Sequence, residues 1–111
     1  MIIERVQVLD KVVVLRAAGR MDVDSATQFE PACDACIAEG FNRLVVDFGD
    51  LTYISSMGLR SVVTIAKKLK EKGGELRICR QTGLVRQVFE ITRLTQLFPV
   101  YDTLESALLE G

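Results

Sequence analysis

The chain has 111 residues, 49% of them hydrophobic, and a formal net charge of -1, which suits one domain with a single core and argues against disorder or a basic nucleic-acid surface. It contains no histidine, which excludes Ser-His-Asp and Cys-His triads and every histidine-containing zinc site. Because no apolar run approaches the ~20 residues that cross a bilayer, and residues 1–5 lack a secretory-signal pattern, we expect a cytoplasmic protein without membrane insertion.

The first elements in chain order are two short apolar segments, residues 2–8 and 12–18, separated by a polar turn at Asp10. This pattern predicts an antiparallel hairpin. A helix should then begin near Asp24 or Ser25, because residues 25–28 fit a capping box. Pro31 falls late for a first-turn proline, so the helix either starts later than this cap or is kinked.

Three cysteines occupy apolar patterns. Cys33 and Cys36 have CxxC spacing within the first helical pattern, and Cys79 lies in an apolar strand pattern. A thioredoxin-like pair would open a helix after a strand, and a structural zinc site would need a second pair. We therefore expect small buried or half-buried thiols, with no metal site and no cofactor.

The second half of the chain opens with the most informative segment. An apolar run at residues 44–48 predicts a buried strand closed by a Gly-Asp turn, and the adjacent Ser55 and Ser56 precede a long helical pattern. A serine at a helix start can cap the first free amides, and a phosphate on it would meet the positive end of the helix dipole. Such a serine is therefore a simple cap or a switch.

The helix after the serines carries one apolar stripe at residues 59, 62, 63, 66 and 69 and ends at Gly73. A second face, with Met57, Gly58, Ser61 and Ile65, is either additional core or a partner patch. The following patterns predict a strand at residues 76–79, a short helix after residue 83, a last strand near residue 100 and a final helix capped by Thr103.

The order β-β-α-β-α-β-α-β-α predicts a single α/β domain, residues 1–111, with a mixed four- to five-stranded sheet packed against about four helices. Its parallel strands should end near residues 18, 48 and 79, which brings Asp22, Asp24, Ser55 and Ser56 to one edge of the sheet. Turn formation and helix capping explain the two aspartates without any catalytic role, and we favour that interpretation. A hydrolase is poorly supported, because no residue orients a base and no oxyanion donor is evident.

Four segments, at residues 19–22, 46–48, 53–60 and 73–76, closely resemble the STAS domain of bacterial anti-sigma-factor antagonists, and the resemblance extends over nearly the whole chain. It implies a partner-switching protein rather than an enzyme. In such proteins the unphosphorylated antagonist binds an anti-sigma factor that has a histidine-kinase-type ATP-binding domain. That partner is also a serine kinase, and a separate serine phosphatase reverses the modification.

The usual motif of this family is Asp-Ser-Ser-Gly or Asp-Ser-Thr-Gly, with the phosphoacceptor directly after the aspartate. Alignment on Gly58 implies Ser56 as the acceptor, with Ser55 at the aspartate position as the alternative and Met57 at a position that is usually small. Asp22 corresponds to the acidic neighbour of the acceptor. The expected partner-binding residues are Asp22, Asp24, Ser55, Ser56, Met57, Gly58 and Ser61.

Two alternatives stay open at this point. One is a STAS scaffold that does not switch, as in a stress-signalling assembly or a lipid-transport ABC complex. The other is a small hydrolase that uses Ser56.

Overall fold

The computed structural model describes residues 1–109, except for the side chain of Thr95. Within that range, six strands form one mixed sheet that packs against four α-helices. The strands are β1 (Ile2–Leu9), β2 (Val12–Met21), β3 (Arg43–Asp47), β4 (Leu51–Ile54), β5 (Glu75–Cys79) and β6 (Val100–Tyr101). The helices are α1 (Val23–Ala38), α2 (Ser56–Glu71), α3 (Gly83–Thr92) and α4 (Leu104–Leu108). The predicted domain end at residue 111 lies outside the described residues.

The sheet is built on the predicted hairpin, which is confirmed. β1 pairs antiparallel with β2, and Asp10 adopts the left-handed backbone that a two-residue turn needs, with φ 56°. The remaining strands are parallel and give the order β1-β2-β3-β5-β6. The α/β class and the mixed sheet are thus confirmed.

The predicted number of four to five strands is wrong by one strand, because β4 was not anticipated. β4 pairs in parallel with the last residues of β2, and Met21 lies opposite Ile54. It occupies the part of β2 that extends beyond β3, which pairs only with residues 12–16. β4 therefore carries the chain from the Gly-Asp turn directly to the end of β2.

Most of the core lies on one face of the sheet. Side chains of α1, α2 and α3, such as Phe29, Ile65 and Phe89, pack there against β2, β3 and β5. The other face holds a smaller cluster beneath α4. Arg77, which is 2% exposed, fastens that helix, because its Nη1 donates to the carbonyl of Ala107 at 3.0 Å. Within residues 1–109, every helix is too short or too polar to cross a bilayer.

The start of α1 differs from its prediction. The helix begins at Val23, and Asp22 is its cap, so the expected capping box opening at Ser25 is wrong. Pro31 lies inside the helix, which removes the option of a later start. The interpretation of the cysteines as small buried thiols is confirmed. Burial raises the pKa of Cys79 to about 12, which keeps that thiol protonated and unreactive at neutral pH.

Candidate functional site

The loop after β2 and the loop after β4 meet at one edge of the sheet. The amide of Ser55 donates to the carbonyl of Met21 at 2.8 Å, and Met21 immediately precedes Asp22. Parallel pairing of β2 with β4 therefore brings the two loops together, as the sequence predicted from the ends of parallel strands.

The two adjacent serines have different roles. Ser55 is the N-cap of α2, with an extended backbone, and its Oγ accepts from the amide of Gly58 at 3.1 Å. It is only 8% exposed. Ser56 is the first residue of the helix and is exposed to solvent. The cap and the accessible hydroxyl thus belong to neighbouring residues, and a modifying enzyme can reach Ser56 far more easily than Ser55.

Asp22 and Asp24 flank the start of α1, and both are exposed. The Oδ1 of Asp22 accepts from the amide of Ser25 at 2.9 Å, so the interpretation of Asp22 as a cap is correct. Hydrogen bonds from the amide and then the hydroxyl of Ser25 hold the pKa of Asp22 below its usual range. Because the cap stabilises the ionised carboxylate, Asp22 places a negative charge at neutral pH on the loop next to the serines.

The second face of α2 divides into core and surface. Met57 is 42% exposed, whereas Ser61 is 5% exposed and Ile65 is fully buried. Gly58 is also buried, and a Cβ there would lie 2.8 Å from Cγ1 of Ile54 and 3.0 Å from Sδ of Met21. Gly58 therefore lets the first turn of α2 approach the end of β2 closely.

This burial changes the expected contribution of two residues to the partner surface. Gly58 and Ser61 are both buried residues of α2, and Gly58, which has no side chain, can affect a docked protein only by positioning its neighbours. Ser61 is one of the residues that line a groove between α1 and α2, together with Met57 and Pro31. Ser56 and Met57 are the members of the predicted set on α2 whose side chains face solvent.

Sequence reasoning missed one feature of this edge. The guanidinium of Arg20 stacks over the ring of Tyr53, with 4.3 Å from its central carbon to the ring centroid. The two residues lie opposite each other in the pairing of β2 with β4. The sequence could have indicated this stacking only if residues 51–54 had been recognised as a strand, because pairing of that strand with β2 makes Arg20 and Tyr53 a cross-strand pair.

Among residues 1–109, no group of three or more Cys, Asp and Glu side chains is placed to hold a metal ion. A cavity of about 460 Å³ lies between Arg43, Gly74 and Phe98. It is at the amino ends of β3 and β5, the opposite edge of the sheet from the serines, so it does not belong to this site.

Comparison with known proteins decides the family. A model of the STAS domain matches residues 5–107 of the chain. The chain belongs to the STAS domain family. One relative, from Bordetella bronchiseptica, carries the name anti-sigma factor antagonist BtrV; it is 38% identical over 99 residues, which cover 89% of this chain and 85% of that protein.

Solved structures share the STAS fold. The crystal structure of an anti-sigma factor antagonist from Mycobacterium paratuberculosis has a TM-score of 0.84 at 28% identity, covering 96% of this chain and 91% of the other. The phosphorylated form of the Bacillus cell fate determinant SpoIIAA has a TM-score of 0.75 at 21% identity, covering 96% of each chain. At that identity the second likeness shows the fold alone.

In this STAS domain the exposed serine follows the contact between the Asp22 loop and Ser55 and also lines a groove that contains basic residues. Asp22 and Asp24 carry negative charge on the loop that leads into α1. On the other side, a groove begins at Ser56 and runs along α2, and Arg60 and Lys67 line it. A charge added at Ser56 would therefore be repelled on one side and attracted on the other.

Proposed function

We propose that this chain is an anti-sigma factor antagonist that acts by partner switching, with Ser56 as the phosphoacceptor. Unphosphorylated, it binds an anti-sigma factor that carries a histidine-kinase-type ATP-binding domain and is also a serine kinase. Phosphorylation of Ser56 ends that binding, and a serine phosphatase restores it. The chain is then a substrate and binding partner rather than an enzyme, and its use of ATP-dependent partners puts the switch in the cytoplasm.

One observation carries this proposal: the hydroxyl of Ser56 is exposed at the first residue of α2, while the neighbouring Ser55 performs the capping. Modification of Ser56 therefore leaves the cap intact. The relatives named as anti-sigma factor antagonists support binding to an anti-sigma factor. Phosphorylation of Ser55 instead would require its buried hydroxyl to leave the hydrogen bond with the amide of Gly58 first.

The chemistry of the switch is a phosphoryl transfer. The Oγ of Ser56 attacks the γ-phosphorus of ATP, the bond to the β–γ bridging oxygen breaks, ADP leaves, and the hydroxyl proton passes to the kinase or to water. In the reverse step water attacks the phosphorus, the bond from phosphorus to Oγ of Ser56 breaks, inorganic phosphate leaves, and Oγ takes up a proton. The two steps need only that the side chain of residue 56, as the hydroxyl or as its phosphate ester, enter the active site of another protein.

The effect on binding follows from electrostatics. A phosphate adds about -1.5 to -2 charge at neutral pH beside Asp22 and Asp24. A partner surface that fits a neutral hydroxyl offers that charge no counter-charge of its own, and taking it out of water at the interface costs several kcal/mol. Since each 1.4 kcal/mol is about tenfold in affinity, binding should weaken by at least about 100-fold without a change of fold.

The test compares binding of the kinase partner to Ser56→Glu, Ser56→Ala and the parent chain by calorimetry. Ser56→Glu should bind about 100-fold more weakly, whereas Ser56→Ala should bind like the parent. Ser106→Glu is the matched control, because Ser106 is exposed on α4, across the sheet. Equal affinity of Ser56→Glu and the parent would contradict the switch and favour a scaffold that does not switch.

A further inference from the structure

The groove that begins at Ser56 places a cation one helical turn beyond the serine. Ser56, Arg60 and Lys67 are among the residues that line it, and among the described residues its lining contains no carboxylate. Ser56 and Arg60 are both exposed. Any anionic group carried by Ser56 would therefore share a groove with a guanidinium.

We propose that Arg60 is a positioning residue for the phosphorylated form, in which its guanidinium binds the phosphate on Ser56 and directs it along α2, away from Asp22 and Asp24. This rests on the proposed function, since it assumes that Ser56 becomes phosphorylated. Arg60 would then determine where the phosphate on Ser56 lies.

Helix geometry supports the pairing. Residues four apart lie on one face of a helix, and at a rise of 1.5 Å per residue their backbones are separated by about 6 Å along the axis. An anion that precedes a cation by four residues is the more favourable order for such a pair. Ser56 and Arg60 have that order, and the side chains of phosphoserine and arginine are long enough to meet.

Arg60 is also available for this contact. In the part of the chain that the structure describes, Arg16, Arg80 and Arg86 each pair with a carboxylate, whereas the side chain of Arg60 makes no ion pair and no hydrogen bond. Binding the phosphate would thus break no existing interaction. The planar fork of a guanidinium also matches two phosphate oxygens at once, which a lysine cannot do.

The pairing has a consequence for recognition. Before phosphorylation a partner meets a neutral hydroxyl and an unpaired guanidinium at the start of α2. After phosphorylation it meets a dianion already held by that guanidinium. The modification would then alter two contacts on the docking surface, those of Ser56 and Arg60, with one chemical step.

The experiment installs phosphoserine at position 56 during translation, so that no kinase is needed, and follows the second ionisation of the phosphate by 31P NMR. In the Arg60→Gln variant we expect the pKa of the phosphate to be higher than in the parent by about 0.3 to 0.7 of a pH unit, the size expected for an exposed ion pair. Arg60→Lys should restore part of the difference.

Lys67→Gln is the matched control. It removes a cation from the same groove, but eleven residues and about 16 Å along the helix from the phosphoserine. Its phosphate should titrate like that of the parent. The proposal is overturned if Arg60→Gln leaves the pKa of the phosphate unchanged, or if Lys67→Gln raises it equally.

A separate measurement keeps the two proposals distinguishable. The kinase partner's affinity for the phosphoserine chain tests the switch itself. Affinity equal to that of the unmodified chain overturns the proposed function whatever Arg60 does. Weakened binding together with an unmoved phosphate pKa in Arg60→Gln overturns only the role of Arg60.

Discussion

Replacing each of the adjacent serines by alanine should separate capping from phosphorylation. In Ser55→Ala the amide of Gly58 loses its acceptor, which lies 3.1 Å away in the parent. Loss of an N-cap costs about 0.5–2 kcal/mol. Since Gly58 is buried, we expect the upper half of that range, about 1–2 kcal/mol. For a domain of this size each 1 kcal/mol lowers Tm by roughly 4–8 °C.

Ser56→Ala should keep the stability of the parent and lose phosphorylation. Ser56 is exposed and makes no side-chain hydrogen bond with the described residues, and alanine is the better helix former by about 0.5 kcal/mol. Its free energy of unfolding should therefore be equal to that of the parent or slightly higher. Phosphate uptake should be lost completely, because the acceptor oxygen is gone.

Urea denaturation and intact-mass spectrometry, after incubation with the kinase and ATP, measure the two properties on the same samples. Ser55→Ala should be less stable and still take up phosphate, while Ser56→Ala should be stable and take up none. Equal stability of both variants would refute the capping assignment. Uptake that persists in Ser56→Ala but disappears in Ser55→Ala would make Ser55 the acceptor.

Two further changes test the packing and the charge of the site. Gly58→Ala brings a Cβ to within 2.8 Å of Ile54 and 3.0 Å of Met21. The cost of overpacking, about 1–3 kcal/mol, outweighs the ~1 kcal/mol gained in helix propensity, so the urea midpoint should fall. A midpoint at or above that of the parent would show that the site relaxes freely. Asp22→Asn keeps a side chain that can cap the helix but removes the titratable carboxyl group. The pKa of Asp22 in the folded state is below its usual value because of the hydrogen bonds from Ser25, so its contribution to stability is present above about pH 4 and is lost as pH falls through the folded-state pKa. The stability of the parent relative to Asp22→Asn should decrease as pH falls below about 4, and a difference that does not vary with pH would contradict the assignment.

The part of the fold that local pattern encodes was predictable. Alternating and continuous apolar segments predicted the hairpin and the parallel strands, and Thr103 was correctly placed as the cap of α4. β4 escaped notice because it has only four residues after a tight turn. Its partner is the end of β2, some thirty residues earlier, and no local pattern reports such a pairing.

The site was predictable in its location but not in the roles of its members. Either serine satisfies the sequence pattern of a cap. The choice depends on the backbone of Ser55, which the hydrogen bond from its amide to Met21 holds in an extended conformation. Similarly, the sequence left the face with Gly58 and Ser61 as either core or a partner patch, and the approach of neighbouring elements to α2 buries both residues.

The amino-acid sequence by itself determined the succession of elements apart from β4, the edge of the sheet at which the serines and aspartates gather, and the presence of a hydroxyl at the entrance to α2. Those features depend on turn residues and apolar periodicity, which act over a few neighbouring residues. Only the tertiary structure decided that Ser55 caps while Ser56 faces solvent, because that choice depends on the pairing of β4 with β2. The physical reason is that contacts between residues distant in the chain set the local backbone geometry.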